Sequence, residues 1–263
     1  MTPNEQQQYR LAFKRFQQRR ELLWAGKIKK AIEQQVKQFT DEYYFTRSTY
    51  SLNAIQPQPL VEVLRLLYAD CAKWGNVVYN DLTKQLRTQK IRMPIGMSEA
   101  FIAEILRYFN VDLLNDVQNI DETTRNNILA ALKIATEKGL GIDDTIALIN
   151  DTAITYNRAR VIARTETVTA ANVAASMAAD KTKIRLNKIW IAATDNRTRH
   201  DHIQVNGTTI PKEQSFIVGG FPMKQPGDRG SSAMRTPAKE IVNCRCSVGF
   251  IPQRDSTGRI ILL

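Results

Sequence analysis

Near Lys181 the texture of the chain changes, and that change limits the fold more than any other feature of the sequence. Up to about residue 180 the apolar residues recur at three- and four-residue steps, the spacing of helices with one covered side. Beyond it glycine and proline become frequent. Short β-like runs follow one another at residues 188–193, 208–210, 216–218, 247–251 and 259–263. Asn206-Gly207, between two such runs, has the composition of a hairpin turn. The expected fold class is therefore α+β, a helical N-terminal part followed by a module of helices and a small, mainly antiparallel sheet. The expected division is a helical region over residues 1–110 and the module over residues 111–263.

Within the helical part, residues 3–45 predict a long polar helix with a thin apolar stripe, Leu11, Phe13, Phe16, Leu22, Leu23, Ile28, Ile32, Val36 and Phe39. Such a helix is either a docking arm for another chain or the first helix of a bundle, and the arm is the expected role. A break at residues 51–59 precedes a helix over 60–89, whose stripe includes Cys71. Residues 90–96 hold Pro94 and Gly96 and predict a second break. Further helices are expected from Ser98 to about residue 110, from Asp121 to Lys138 with Gly139 and Gly141 ending it, and over 143–150.

Residues 152–179 give the strongest helical pattern. Ile154, Val161, Val168 and Ala175 lie seven apart, and alanines 171, 174, 175, 178 and 179 invite close packing. A second face aligns Thr165, Thr169, Asn172 and Ser176 at steps of four, three and four.

The formal charge is +11, and it is uneven. Residues 1–47 carry a net +5, residues 48–150 a net −2, and residues 151–263 a net +8. Such a field favours double-stranded DNA or an acidic protein surface as partner. The aliphatic run that closes the chain, Ile260 to Leu263, is far short of the roughly 20 residues of a bilayer span. The first residues, MTPNEQQQYRLAF, carry no apolar segment of signal-peptide length. A soluble chain made in the cytoplasm, with no membrane partner, is expected. Three cysteines, Cys71, Cys244 and Cys246, argue against a disulfide framework.

Polar residues cluster in the last hundred positions: Arg164-Thr165-Glu166 with Asn172, then Trp190, Asp195 through His202, Gly207, Phe216, Pro226-Gly227-Asp228, and Asn243 through Cys246. This ordered series resembles the phage head morphogenesis family, the Mu F-like minor head proteins, over roughly residues 120–250. His202 rather than His200 falls at the family's histidine, and Asn206-Gly207 stands where the family usually has Asp-Gly. The resemblance implies a minor capsid protein of a tailed bacteriophage or prophage, present in few copies inside the virion head. It implies a portal-associated protein that touches portal or inner capsid and DNA, is needed for head morphogenesis or DNA delivery, and is not an enzyme. Some family members end in toxin domains; with 17 residues after Cys246, none is expected here.

The same residues carry a local reading. Arg197 and Arg199 suit phosphate or carboxylate. Alternatively Glu166, Asp195 and Arg199 form a buried network, and Arg164, Glu166, Asn172, Asp195, Arg197, Arg199, His202 and Asn243 make up a structural polar cluster without catalytic residues. Cys244, Cys246 and His202 are a partial metal set, with His200 or Asp201 as a fourth ligand for zinc. Against it stands a pair of strand cysteines pointing to opposite faces, and no cofactor. The rival function is enzymatic, a zinc-dependent nuclease or a Cys/His transferase with Cys244 or Cys246, His202 and Asp195 as nucleophile, base and orienter.

Overall fold

The computed structural model describes residues 1–87, 89–91, 98–231 and 233–263; most of the break expected at 90–96 lies outside them. Helices α1 (Pro3–Thr46), α2 (Gln58–Arg87), α3 (Glu99–Lys138), α4 (Ile142–Ala153) and α5 (Tyr156–Lys181) come first, with a 3-10 turn at Thr49–Ala54. Then follow β1 (Leu186–Ile191), α6 (His200–Gln204), β2 (Thr209–Pro211), β3 (Phe216–Val218), β4 (Phe221–Met223), α7 (Ala238–Ile241) and β5 (Ser247–Pro252). The α+β class and the change of texture after α5 are as expected. Among the described residues, no helix is long and apolar enough to cross a membrane.

The compact units interleave along the chain instead of dividing at residue 110. The first comprises Met1–Glu21, Tyr68–Leu106 and Arg164–Leu263, and the second Leu22–Leu67 and Arg107–Ala163. In the first unit β1 is the central strand of an antiparallel sheet ordered β2-β1-β5, with Lys188 opposite Ile210 on one side and Phe250 on the other. A separate hairpin pairs β3 with β4. The sequence pattern does not show β4, because Gly219-Gly220, at φ of 55° and 85°, turns the chain back after only three residues. Residues 259–263 form only isolated bridges rather than a full strand. Asn206-Gly207 does not close a tight hairpin. It follows α6, and the Asn206 side chain accepts the Ala192 N–H at 2.8 Å while Gly207, at φ 79°, enters β2.

In the second unit the segment between the two expected helices of 98–138 is itself helical. Phe109, Leu113 and Val117 repeat every four residues and are all buried, so packing carries the helix through its polar stretch. Helix α5 starts at Tyr156, later than its pattern suggests, with Arg158 in its first turn. The Arg158 N–H is capped by Thr155 Oγ1 at 3.2 Å, and its guanidinium donates to the Ile120 carbonyl at 2.7 Å and to Thr124 Oγ1 at 2.9 Å. Gln35 joins Asp121 at 2.7 Å and the Gln56 carbonyl at 2.9 Å. Gly139, at φ 63°, closes α3 as its sequence indicates.

The first helix is not a free arm. Phe13 in the first unit, and Trp24, Ile28, Ile32, Val36 and Phe39 in the second, are all buried in this chain's own core. Phe13 meets Trp74 edge-on at 5.2 Å. The apolar stripe looked thin because charged residues surround it; Leu11, Leu22 and Leu23 are exposed, but Phe13, Ile28, Ile32, Val36 and Phe39 are buried. Gly75 of α2 lies against α5, where a Cβ would stand 2.6 Å from the Ala174 carbonyl oxygen. The alanines of α5 thus admit close packing, as their spacing implies. Cys71 is a buried apolar residue, its thiol pushed up by burial.

Phe13→Ala should therefore cost about 3–5 kcal/mol of stability, the usual range for a buried aromatic. Denaturant melts of the full chain check this; a change below about 1 kcal/mol would mean that the helix packs weakly and is free to dock elsewhere.

Candidate functional site

From Thr165 to Ala175 helix α5 is buried on every side, polar residues included. The aligned polar face finds its partners in the loops that follow. Thr165 Oγ1 accepts the Asn243 N–H at 2.9 Å. Thr169 Oγ1 donates to the Gly227 carbonyl at 3.3 Å. Asn172 donates to the Cys246 carbonyl at 3.2 Å and accepts the Val248 N–H at 2.9 Å. Ser176 donates to Gln225 at 3.2 Å. Gly227 allows this approach: at φ 83° its Cα faces Thr169 so closely that a Cβ would lie 2.6 Å from the hydroxyl. Asp228 locks the same turn by accepting the Lys224 and Gly230 N–H groups at 2.6 and 3.0 Å.

Beside this face lie two charged clusters. Buried Glu166 accepts the Tyr68 hydroxyl at 2.6 Å and the Arg229 guanidinium at 2.8 Å. Arg164 holds Glu21 through two nitrogens, at 2.8 and 2.5 Å, and also donates to the Asn243 side chain. The expected Glu166–Asp195–Arg199 network does not form. Residues 195–199 make a surface turn, while Glu166 faces α2. Asp195 pairs with Arg245, which also draws its carboxyl down to about 2. Half-buried Arg199 donates to the Val242 carbonyl at 2.5 Å. Arg197 is exposed and engages Asp195 only through its own N–H at 3.0 Å.

The third cluster surrounds His202. Its Nδ1 lies 3.4 Å from Cys246 Sγ and 3.6 Å from Cys244 Sγ, and its Nε2 3.1 Å from the Glu240 carboxylate. All four side chains are buried, and Trp190 meets the imidazole edge-on at 5.5 Å. Asn243, at φ 64°, turns the chain before the cysteines. Residues 243–246 precede β5 and are not a strand, so the two thiols face the same imidazole instead of opposite faces. Hydrogen bonding from Cys246 and from His202 pulls the Cys244 thiol well below its ordinary range against the effect of burial, and Cys246 rises in turn. Burial works to lower the imidazole pKa, but the adjacent Cys244 thiolate outweighs it and raises it.

His202, Cys244 and Cys246 have ligand atoms within 4.8 Å of one another, the grouping best suited to a metal among the described residues. Neither exposed His200 nor Asp201 joins it. Nor does Asp195 orient His202; that carboxylate is Glu240, a residue without a distinguishing sequence pattern. Arg229, Arg245, Tyr68 and Glu21 were likewise not legible as partners. A small cavity, about 10 Å³, adjoins the cluster and is lined by Arg197, Thr198, Arg199 and Arg245 among others.

Residues 126–249 match the family model described as Phage Mu protein F like protein. Over 131 residues the chain is 31% identical to the minor head protein GP7 of Bacillus phage SPP1, a match covering 48% of this chain and 40% of that protein. Over 130 residues it is 29% identical to the NAD(+)–arginine ADP-ribosyltransferase EFV of Enterococcus faecalis, covering 48% of this chain and 25% of that protein. The chain thus spans well under half the length of either relative. No solved structure matches it.

Two variants separate the buried cluster from the surface turn. Glu166→Ala leaves Arg229 buried without its carboxylate and should cost about 3–5 kcal/mol, whereas Arg199→Ala should cost less than about 1.5 kcal/mol; chemical denaturation measures both. The Asp195–Arg245 pair predicts a pH signature. Because the folded carboxyl titrates near 2 rather than near the ordinary 3.8, its contribution is full above pH 4 and is lost as pH falls towards 2. The stability difference between the native chain and Asp195→Asn should shrink across that window, and a difference that stays constant there would contradict the pairing.

Proposed function

We propose, from the match of residues 126–249 to the Mu F-like family model, that the chain serves as a minor head protein of a tailed phage or prophage. It is built into the head in few copies, binds the portal or the inner capsid surface, contacts packaged DNA, and acts in head assembly or DNA delivery. The observation that carries this reading is how the motif residues are used. Thr165, Glu166, Asn172, Gly227 and Asp228 spend their polar groups on partners inside the fold, and Asn243 borders only the small cavity beside His202. A substrate site needs convergent polar groups facing a pocket, and the cavity beside His202 has room for about one water.

DNA contact rests on charge and exposure. Lys183, Arg185 and Arg259 stand exposed where residues 183–185 pair with the end of the chain. Guanidinium and ammonium groups at such a surface bind phosphate without reading sequence, and the affinity falls with salt. The Cys/His transferase alternative requires a reachable thiol, whereas Cys244 and Cys246 are each 2% exposed.

Heads purified from an induced host should contain the chain, and its absence from assembled heads would overturn the proposal. For the DNA contact, the full chain should retard duplexes of unrelated sequence equally. Exchanging Lys183, Arg185 and Arg259 for alanine should weaken binding and flatten its logarithmic salt dependence by up to about 3. An unchanged slope would move the DNA contact elsewhere or remove it.

A further inference from the structure

We propose that His202, Cys244 and Cys246 hold one zinc ion, with Glu240 fixing the imidazole and a water molecule from the adjoining cavity as fourth ligand. The argument begins with distances. Zinc binds thiolate sulfur at about 2.3 Å and imidazole nitrogen at about 2.0–2.1 Å, so a tetrahedral site sets nitrogen and sulfur about 3.6 Å apart. The two separations here are 3.4 and 3.6 Å, both measured from the same nitrogen, Nδ1. A nucleophile and its base need one thiol on the ring. Two thiols on one nitrogen is the arrangement of ligands about a cation.

The surroundings fit the same ion. The other ring nitrogen, Nε2, meets the Glu240 carboxylate at 3.1 Å, with both side chains buried. A carboxylate in that position fixes the tautomer and the ring plane of a metal-bound histidine. The Cys246 N–H points at Cys244 Sγ at 3.4 Å and disperses negative charge on that sulfur. Zinc with two thiolates and a neutral imidazole carries no net charge, so the cluster can be buried without the cost of an isolated ion. The Glu240 charge is balanced by the Lys239 ammonium at 3.5 Å.

The fold also builds the site in advance. Asn243 turns the chain at φ 64° and is tied to Thr165, while the Cys246 carbonyl is tied to Asn172. The two cysteines are thereby held from α5, and the histidine comes from α6. An ion bound here would join α6, the stretch before β5 and, through Glu240, α7. Water is the natural fourth ligand, because the cavity of about 10 Å³ opens beside His202 and both cysteines.

The test uses the full chain, purified from zinc-supplemented cultures without chelator. Elemental analysis should give one zinc per chain. After chelator treatment, added cobalt should produce a near-ultraviolet thiolate-to-metal band and the strong visible absorption of a tetrahedral site. Cys244→Ser and Cys246→Ser should each weaken the band or abolish it. Glu240→Gln should keep the band and weaken affinity by about 10- to 100-fold. A folded native chain that contains no zinc and gives no thiolate–cobalt band overturns the proposal, whatever the variants do. One cysteine that alkylates rapidly and equally with and without zinc also overturns it, and favours a nucleophilic thiol.

Discussion

The hydroxyl and amide groups of Thr165, Thr169 and Asn172 belong to a helix segment with almost no access to water, and those of half-buried Ser176 follow directly after it, so they must be satisfied inside the protein. They are, and their partners come from three pieces of the last forty residues: the Asn243 turn, the turn holding Gln225 and Gly227, and the start of β5. One helix face thereby sets the position of three loops with little secondary structure of their own. The hairpin β3-β4 and strand β5 are too short to fix those loops through sheet pairing alone. The glycine at 227 and the left-handed conformation of Asn243 follow from this dependence, since both bring backbone into contact with the helix.

Much of this was written in the chain. The four-, three- and four-residue steps from Thr165 to Ser176 mark a polar face on an otherwise alanine-rich helix, and a polar face with such small groups suits backbone partners. The texture change after Lys181 marked the α+β division, and four of the five strands fall within two residues of their runs. What the pattern hides is the far end of each interaction. Glu21 meets Arg164 across 143 positions, and Tyr68 meets Glu166 across 98. No periodicity connects such pairs. The first helix misleads for a related reason: its stripe is narrow in sequence, yet Phe13 and Trp74 meet because α1 and α2 lie side by side in the first unit. Likewise Glu240 reads as one more charged residue of a short helix until His202 is placed against it.

The distribution of charge gives the proposed role its physical shape. Arginines such as half-buried Arg164 and buried Arg229 are committed to carboxylates within the fold. Exposed Lys183, Arg185 and Arg259 are available to an external polyanion, and long-range attraction of that kind needs no precise fit. In the proposed role, a chain that is buried where its motifs converge and basic at its surface would be fixed to a protein shell while touching DNA of any sequence.

Native-state hydrogen exchange tests the central claim, that the polar face of α5 holds the motif loops as part of the core. The account predicts that the amides of Asn243 and Val248, which donate to Thr165 and Asn172, exchange as slowly as the β1 amides of the same unit and only through its cooperative unfolding. Exchange of those two amides by rapid local opening, with β1 still protected, would contradict it.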